Sequence, residues 1–293
     1  MKSCVRLIGF GRYTRELVYI SLVLGLILSS VKASSFNDNF EISWGTVKLW
    51  NNGETAQLTM DRASGSGFQS KNEYIFGCVS MRIKLMSGNS AGTVTSYYLS
   101  SEGSAHDELD YEFLGNLPGK PYTLQTNVFA NGVGNREQKI RLWFDPTDDF
   151  HNYSIIWNHK QIVFWVDSIP IRAFKNNEET AGVPYPNRRS MRIISTLWNG
   201  EDWATDGGRV KTDWSQAPFV ASYQSFEIDA CSVSSNSSLP CANNWWDQSE
   251  FQSLNQHQLR RLQWVRKNHM TYDYCHDRSG RFSVTPAECA FNP

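Results

Sequence analysis

His106-Asp107-Glu108-Leu109-Asp110-Tyr111-Glu112-Phe113-Leu114-Gly115 is the stretch on which the rest of the chain is organised. In a strand, successive side chains alternate between faces. His106, Glu108, Asp110 and Glu112 then share one face, and Asp107, Leu109, Tyr111 and Phe113 share the other. One face is a row of acids and the other is mostly apolar packing. A helix would also bring Glu108 and Glu112 together, four residues apart. It would turn Asp110 away and scatter Leu109, Tyr111 and Phe113, so the strand sorts the residues and the helix does not.

Three carboxylates on one strand face repel one another, and crowding of that kind splits their pKa values. Two carboxyl groups in unlike protonation states are what glycoside hydrolysis uses. Four residues of strand put the two Glu Cα atoms roughly 13 Å apart. Retaining enzymes need carboxyls about 5 Å apart and inverting ones about 6.5–9.5 Å. Long side chains leaning inward on a concave sheet allow the shorter gap without requiring it. A solvated acidic edge would not interleave Tyr111, Phe113 and Leu114. A calcium loop would need a third ligand and a glycine that do not follow Asp110-Tyr111-Glu112.

The motif resembles the active-site signature of plant xyloglucan endotransglucosylase/hydrolases, a branch of glycoside hydrolase family 16. The resemblance continues through Asn89-Ser-Ala-Gly-Thr, Leu142-Trp-Phe-Asp-Pro, Asp149-Phe-His-Asn-Tyr-Ser, Asp202-Trp-Ala-Thr-Asp-Gly-Gly and the C-terminal cysteines, nearly all of the chain from about Phe36 onward. It implies Glu108 as nucleophile, Glu112 as general acid/base and Asp110 as the group that tunes their ionisation. It further implies substrate contacts from Glu112, Gln125, Thr126, Asn127, Asn135, Arg136, Glu137, Asp202, Trp203, Gly207 and Arg281. The implied reaction cleaves the glucan backbone of xyloglucan through a covalent glycosyl-enzyme. The fragment passes to another xyloglucan chain or to water. The segment from Gln125 to Arg141 resembles members inclined to transfer, so transfer is expected to exceed hydrolysis. Two readings compete: a lectin-like module without catalysis, and a β-glucanase of different substrate. The first would not need paired acids. The second often carries an extra residue before the acid Glu, and Asp110-Tyr111-Glu112 has none.

The beginning of the chain reads as a signal peptide over residues 1–33. Lys2, Arg6, Arg12 and Arg15 form a basic leader, Leu17 to Leu28 an apolar run, and Val31-Lys32-Ala33 a small-residue cleavage site. The run is shorter than the roughly 20 residues of a membrane span. A secreted protein of the cell wall and apoplast is expected, with no membrane anchor after processing. The whole sequence carries 28 basic and 29 acidic residues. Removing the leader takes five of the former and one of the latter and leaves a net charge of −5, weak ground for a nucleic-acid partner. Arg260, Arg261, Arg266 and Lys267 cluster, but as a solvated helix face.

From Phe36 to about Phe226 the chain is a series of short alternating runs broken by Gly, Asn and Asp. Ser154-Ile-Ile-Trp-Asn and Gln161-Ile-Val-Phe-Trp-Val read as a hairpin. The fold expected is an all-β jelly-roll sandwich with a concave cleft over 34–226, followed by an extension over 227–293. Leu254, Leu259, Leu262 and Val265 mark one helix there. Cys78, Cys231, Cys241, Cys275 and Cys289 follow the leader, an odd count. The last four allow three pairings. Short loops suggest Cys231–Cys241 and Cys275–Cys289, the family pattern agrees, and Cys78 is left as a lone buried thiol. Asn152-Tyr-Ser and Asn236-Ser-Ser are glycosylation sequons, Asn236 the better candidate because Asn152 opens a buried-looking strand.

Trp198, Trp203 and Trp214 lie among Asn, Asp, Gly and Arg. Sugar sites combine flat aromatics with such hydrogen-bonding groups. His106, His151 and His159 stand alone, so no metal site is expected. No phosphate loop or nucleophile elbow appears, and no cofactor is expected. The expected partners are xyloglucan donor and acceptor chains, acted on by a monomer.

Overall fold

The computed structural model describes residues 35–233, 241 and 244–291. Among them are fourteen strands: β1 Phe40–Trp50, β2 Thr55–Met60, β3 Ser66–Ser70, β4 Glu73–Lys84, β5 Thr93–Ser100, β6 Glu108–Leu114, β7 Thr123–Phe129, β8 Gln138–Arg141, β9 His151–Trp157, β10 Gln161–Val166, β11 Ile169–Lys175, β12 Arg192–Asn199, β13 Phe219–Val233 and β14 Met270–Asp273. Three α-helices join them: α1 Phe36–Asn39, α2 Glu178–Ala181 and α3 Gln256–Asn268.

The strands form one antiparallel ladder in the order β11-β10-β9-β4-β13-β2-β1-β3-β12-β5-β6-β7-β8-β14. The ladder folds into two layers at β1. Residues Phe40 to Gly45 of that strand pair with β3, and Thr46 to Trp50 pair with β2. Gly45 stands at the change of partner with φ +68°, and a Cβ there would lie 2.1 Å from the Gly65 carbonyl oxygen. Only glycine adopts that backbone at that approach without strain.

The layers meet over an aromatic core that includes Phe68, Tyr97, Tyr111, Phe113, Tyr153 and Phe164. Tyr111, on β6, spans the gap. Its hydroxyl lies 2.8 Å from the carbonyls of Ser154 and Trp165 and accepts from the Trp165 amide at 2.8 Å. A buried phenol satisfied in this way fixes the register of one layer against the other.

The expected hairpin is present as β9 and β10, paired from Trp157 with Ile162 to Tyr153 with Val166. Its apolar run is unbroken because both faces are covered. Ile156, Val163, Trp165 and Ala173 form a second core with Phe251 and Leu262. Helix α3 carries Leu262. Asn255 and Gln258 close its start with reciprocal hydrogen bonds of 3.0 and 2.9 Å. The boundary expected after Phe226 falls inside β13, which continues to Val233. Ser225, at φ +55°, and a register shift between Gln224 and Glu227 break the alternation there and mimic an end.

Cys231 joins Cys241 and Cys275 joins Cys289, across separations of 10 and 14 residues. Cys78 is buried and disulfide-bonded, which corrects the lone-thiol expectation. Asn152, the less favoured of the two sequons, lies in the buried part of β9. It is 5% exposed, accepts from Ser80 Oγ at 2.6 Å and donates to Ser154 Oγ at 2.6 Å. Asn236 and the leader lie outside the described residues.

Candidate active site

Strand β6 has β5 on one side and β7 on the other. Glu108, Asp110 and Glu112 stand opposite Ser100, Tyr98 and Ser96 of β5 and opposite Phe129, Asn127 and Gln125 of β7. Leu109, Tyr111 and Phe113 are fully buried between the layers. The alternation thus delivers three carboxyls to the open face of the cleft layer. That face is a cleft of about 630 Å³ whose lining includes all three acids with Trp44, Tyr98, Gln125, Asn127, Glu137, Trp198 and Trp203. A separate hollow of about 310 Å³ lies between Gly119–Tyr122 and Leu142–Thr147; its one carboxyl is Asp145.

The three acids have unlike environments. Burial pushes Asp110 well above the usual aspartate range. The charges of Glu108 and Glu112 and a hydrogen bond shared with Glu108 push it further, against a smaller opposing pull from Arg172. Asp110 is thereby pushed toward its neutral form beside Glu108. Glu112 is also raised, chiefly by burial. Gln125 Nε2 donates to Glu112 Oε2 at 2.6 Å and restrains that rise. Glu108 and Glu137 add to it and Lys139 opposes it. Acids held in unlike environments on one strand face can pair a nucleophile with a proton donor.

Gln125 and Asn127 lie on the cleft face, and Asn127 Oδ1 also accepts from the Arg136 amide at 3.0 Å. Thr126, between them, faces the opposite way. Its carbonyl and hydroxyl oxygens accept from Arg172 Nη1 at 2.8 and 3.1 Å in the interior. Arg136 is likewise turned inward and pairs with Glu288 at 2.6 Å. Thr126 and Arg136 are thus both turned away from the cleft face, Thr126 by the alternation of β7 and Arg136 in the loop before β8. Asn135 and Glu137, on either side of Arg136, meet Arg281 at the cleft edge. Arg281 Nη2 donates to Asn135 Oδ1 at 2.6 Å and to Glu137 Oε1 at 2.9 Å.

Trp203 reaches the cleft and stands 6.0 Å from Trp198, centroid to centroid. Asp202 does not reach it. Its side chain is 91% exposed and meets Lys211 at 2.9 Å. Gly207 shapes the turn behind it at φ +66°, and a Cβ on Gly208 would lie 2.1 Å from the Asp202 carbonyl. The polar residues of this loop fold it, and the tryptophans face the cleft. Trp214 is set apart against Phe219 and Arg62. His106 stacks on Phe129 at 5.1 Å. Sequence reasoning missed Trp44 and Tyr98. Tyr98 alternates with Tyr97 in β5, a usable signal once the pairing with β6 is known.

A family model for glycosyl hydrolases family 16 matches residues 36–216, and one for the xyloglucan endo-transglycosylase (XET) C-terminus matches 240–289. Xyloglucan endotransglucosylase/hydrolase protein 9 of Arabidopsis thaliana is 50% identical over 277 residues, 92% of this chain and 95% of that protein. Xyloglucan endotransglucosylase protein 34 of Populus tremula x Populus tremuloides is 52% identical over 278 residues, 93% and 94% of the two chains. Among solved structures, the apo Crh5 transglycosylase superposes with a TM-score of 0.55 at 26% identity, covering 67% of this chain and 80% of that one. A Bacillus licheniformis β-glucanase superposes at 0.51 and 23% identity, over 64% and 89%, and shares the fold.

Proposed function

Because the chain belongs to glycosyl hydrolases family 16, in its xyloglucan endotransglucosylase/hydrolase branch, we propose that Glu108 is its nucleophile, Glu112 its general acid/base and Asp110 the group that sets their ionisation. The enzyme cleaves the β-1,4-glucan backbone of xyloglucan and passes the fragment to a second xyloglucan chain, remodelling the plant cell wall. The observation that carries the assignment of roles is the unlike environment of acids that share one strand face.

In the first step the Glu108 carboxylate attacks the anomeric carbon while Glu112 gives its proton to the departing glycosidic oxygen. A glycosyl ester on Glu108 results, and Glu112 is left ionised. Gln125 stabilises that ionised state through its hydrogen bond. In the second step an acceptor hydroxyl gives its proton to Glu112 and its oxygen attacks the anomeric carbon, releasing Glu108. Two inversions retain the configuration. Trp198 and Trp203 offer apolar faces to pyranose rings, while Gln125, Asn127 and the Arg281–Glu137 pair offer hydrogen bonds to hydroxyls. Transfer exceeds hydrolysis when the acceptor is held in place and water is not, since placement is worth several kcal/mol of barrier. The leader over residues 1–33 supports secretion to the wall and apoplast, and Asn236 is the sequon that glycosylation there would use. We assign no cofactor and take the working unit to be a monomer.

The test incubates the enzyme with xyloglucan polymer and labelled xyloglucan oligosaccharide. Label should enter polymer with little rise in reducing ends. Reducing ends rising without incorporation would make it a hydrolase. Glu108→Ala should abolish the glycosyl-enzyme and leave the fold intact; full activity in that variant would sink the assignment.

A further inference from the structure

We propose that the Trp44 indole is a distal sugar platform, binding a pyranose ring of the glucan at the β1 end of the cleft. The proposal rests on the polysaccharide reading above and extends the site beyond the acid row. Trp44 lines the same cleft as Glu108 and is 41% exposed. It belongs to none of the apolar clusters found among the described residues, so core packing does not account for it.

Its seat is specific. A Cβ on Gly67 would lie 2.5 Å from Trp44 Nε1, and one on Gly65 would lie 2.9 Å from Cη2. The indole therefore rests directly on the backbone around β3, where any side chain would lift it. The Gly67 position also adjoins Thr196 Cγ2 of β12, and Thr196 lines the cleft. The register between β1 and β3 shifts between Ile42 and Trp44, and such bulges re-aim a side chain. An aromatic ring with one side seated on glycines and its remainder open to a polysaccharide cleft has the form that takes the C–H face of a sugar.

From β6 the ladder runs through β5 and β12 to β3. Three strand spacings place the ring roughly 14 Å from the acid row. A sugar on Trp44 is thus not the sugar at the reacting bond, and only a longer glucan reaches both.

The experiment has two arms. In turnover assays, Trp44→Ala should raise the KM for xyloglucan polymer about five- to tenfold. The penalty should shrink steadily as donor and acceptor oligosaccharides are shortened, with kcat little changed. Trp44→Phe should recover part of the loss and Trp44→Leu, which still covers the glycines, should not. In the second arm, calorimetry compares polymer binding to Glu108→Ala with binding to the Glu108→Ala, Trp44→Ala pair. Weaker binding by the pair supports the platform whichever way the turnover chemistry comes out. Absence of xyloglucan turnover by the unaltered enzyme would instead count against the proposed function. An equal penalty at every substrate length, or unchanged polymer affinity in the double variant, would overturn the platform.

Discussion

Asp110 resolves the charge crowding written into β6. It is 5% exposed, and burial together with Glu108 and Glu112 drives it to the neutral form. The consequence for stability has a definite sign. A carboxyl raised in the folded state binds more protons there than in the unfolded chain. Its contribution is fully present below its unfolded value near 3.8 and is lost as pH rises through the raised folded value. Melting temperature followed against pH should therefore fall more steeply across that window in the unaltered protein than in Asp110→Asn. Parallel curves would show that Asp110 is ionised in the fold. Gln125 makes a second prediction. Its hydrogen bond holds the Glu112 pKa down, so Gln125→Leu should raise it. The alkaline limb of kcat/KM, where the proton donor is lost, should move to higher pH. A shift to lower pH would reverse the proposed protonation of Glu112.

Elements differ in how far their sequence discloses them. Strand β6 was legible because a strict alternation of acids and apolar residues has one strand solution. The two triplets that follow it in the chain are sorted by local backbone geometry. Gln125 and Asn127 share the cleft face of β7 and Thr126 does not, whereas Asn135 to Glu137 precede β8 in a loop where Asn135 takes φ +62° and Arg136 turns inward. Strand β1 was not legible as a cleft element, because a bulge and Gly45 interrupt its period just where Trp44 is re-aimed. The apolar spacing of α3 was readable, but the surface it covers was not. Leu262 packs against Val163 and Trp165 on the outer face of the sandwich, a contact set by tertiary docking. Leu262→Ala should cost about 2–5 kcal/mol in denaturant titration. Asn255→Ala, which removes the cap, should cost about 1 kcal/mol. A Leu262→Ala loss no larger than that of the cap variant would mean that α3 is only loosely docked.

At the scale of the whole molecule, the C-terminal extension touches both layers. Strand β14 adds to the cleft layer beside β8, while α3 covers the outer layer. A buried polar junction ties the extension to the cleft layer. Arg136 Nε donates to Glu288 Oε1 at 2.6 Å, with side chains only 8% and 6% exposed. Arg136 Nη1 also donates to the Val128 carbonyl at the end of β7, and Glu288 is one residue from the Cys275–Cys289 disulfide. A buried ion pair is poor evidence of net stability, because desolvation offsets most of its attraction. Breaking it from one side is a different matter, since the remaining charge is left uncompensated. Glu288→Ala should destabilise by about 3–5 kcal/mol, and Arg136→Met with Glu288→Met should recover most of that loss. If the pair does no more than fill space, the double variant should be as unstable as the sum of the single ones. If it secures β7, Glu288→Ala measured well below its melting point should also weaken substrate binding through Gln125 and Asn127, while the Met pair restores KM along with stability. Recovery of stability without recovery of KM would separate the packing of the extension from the placement of the cleft amides.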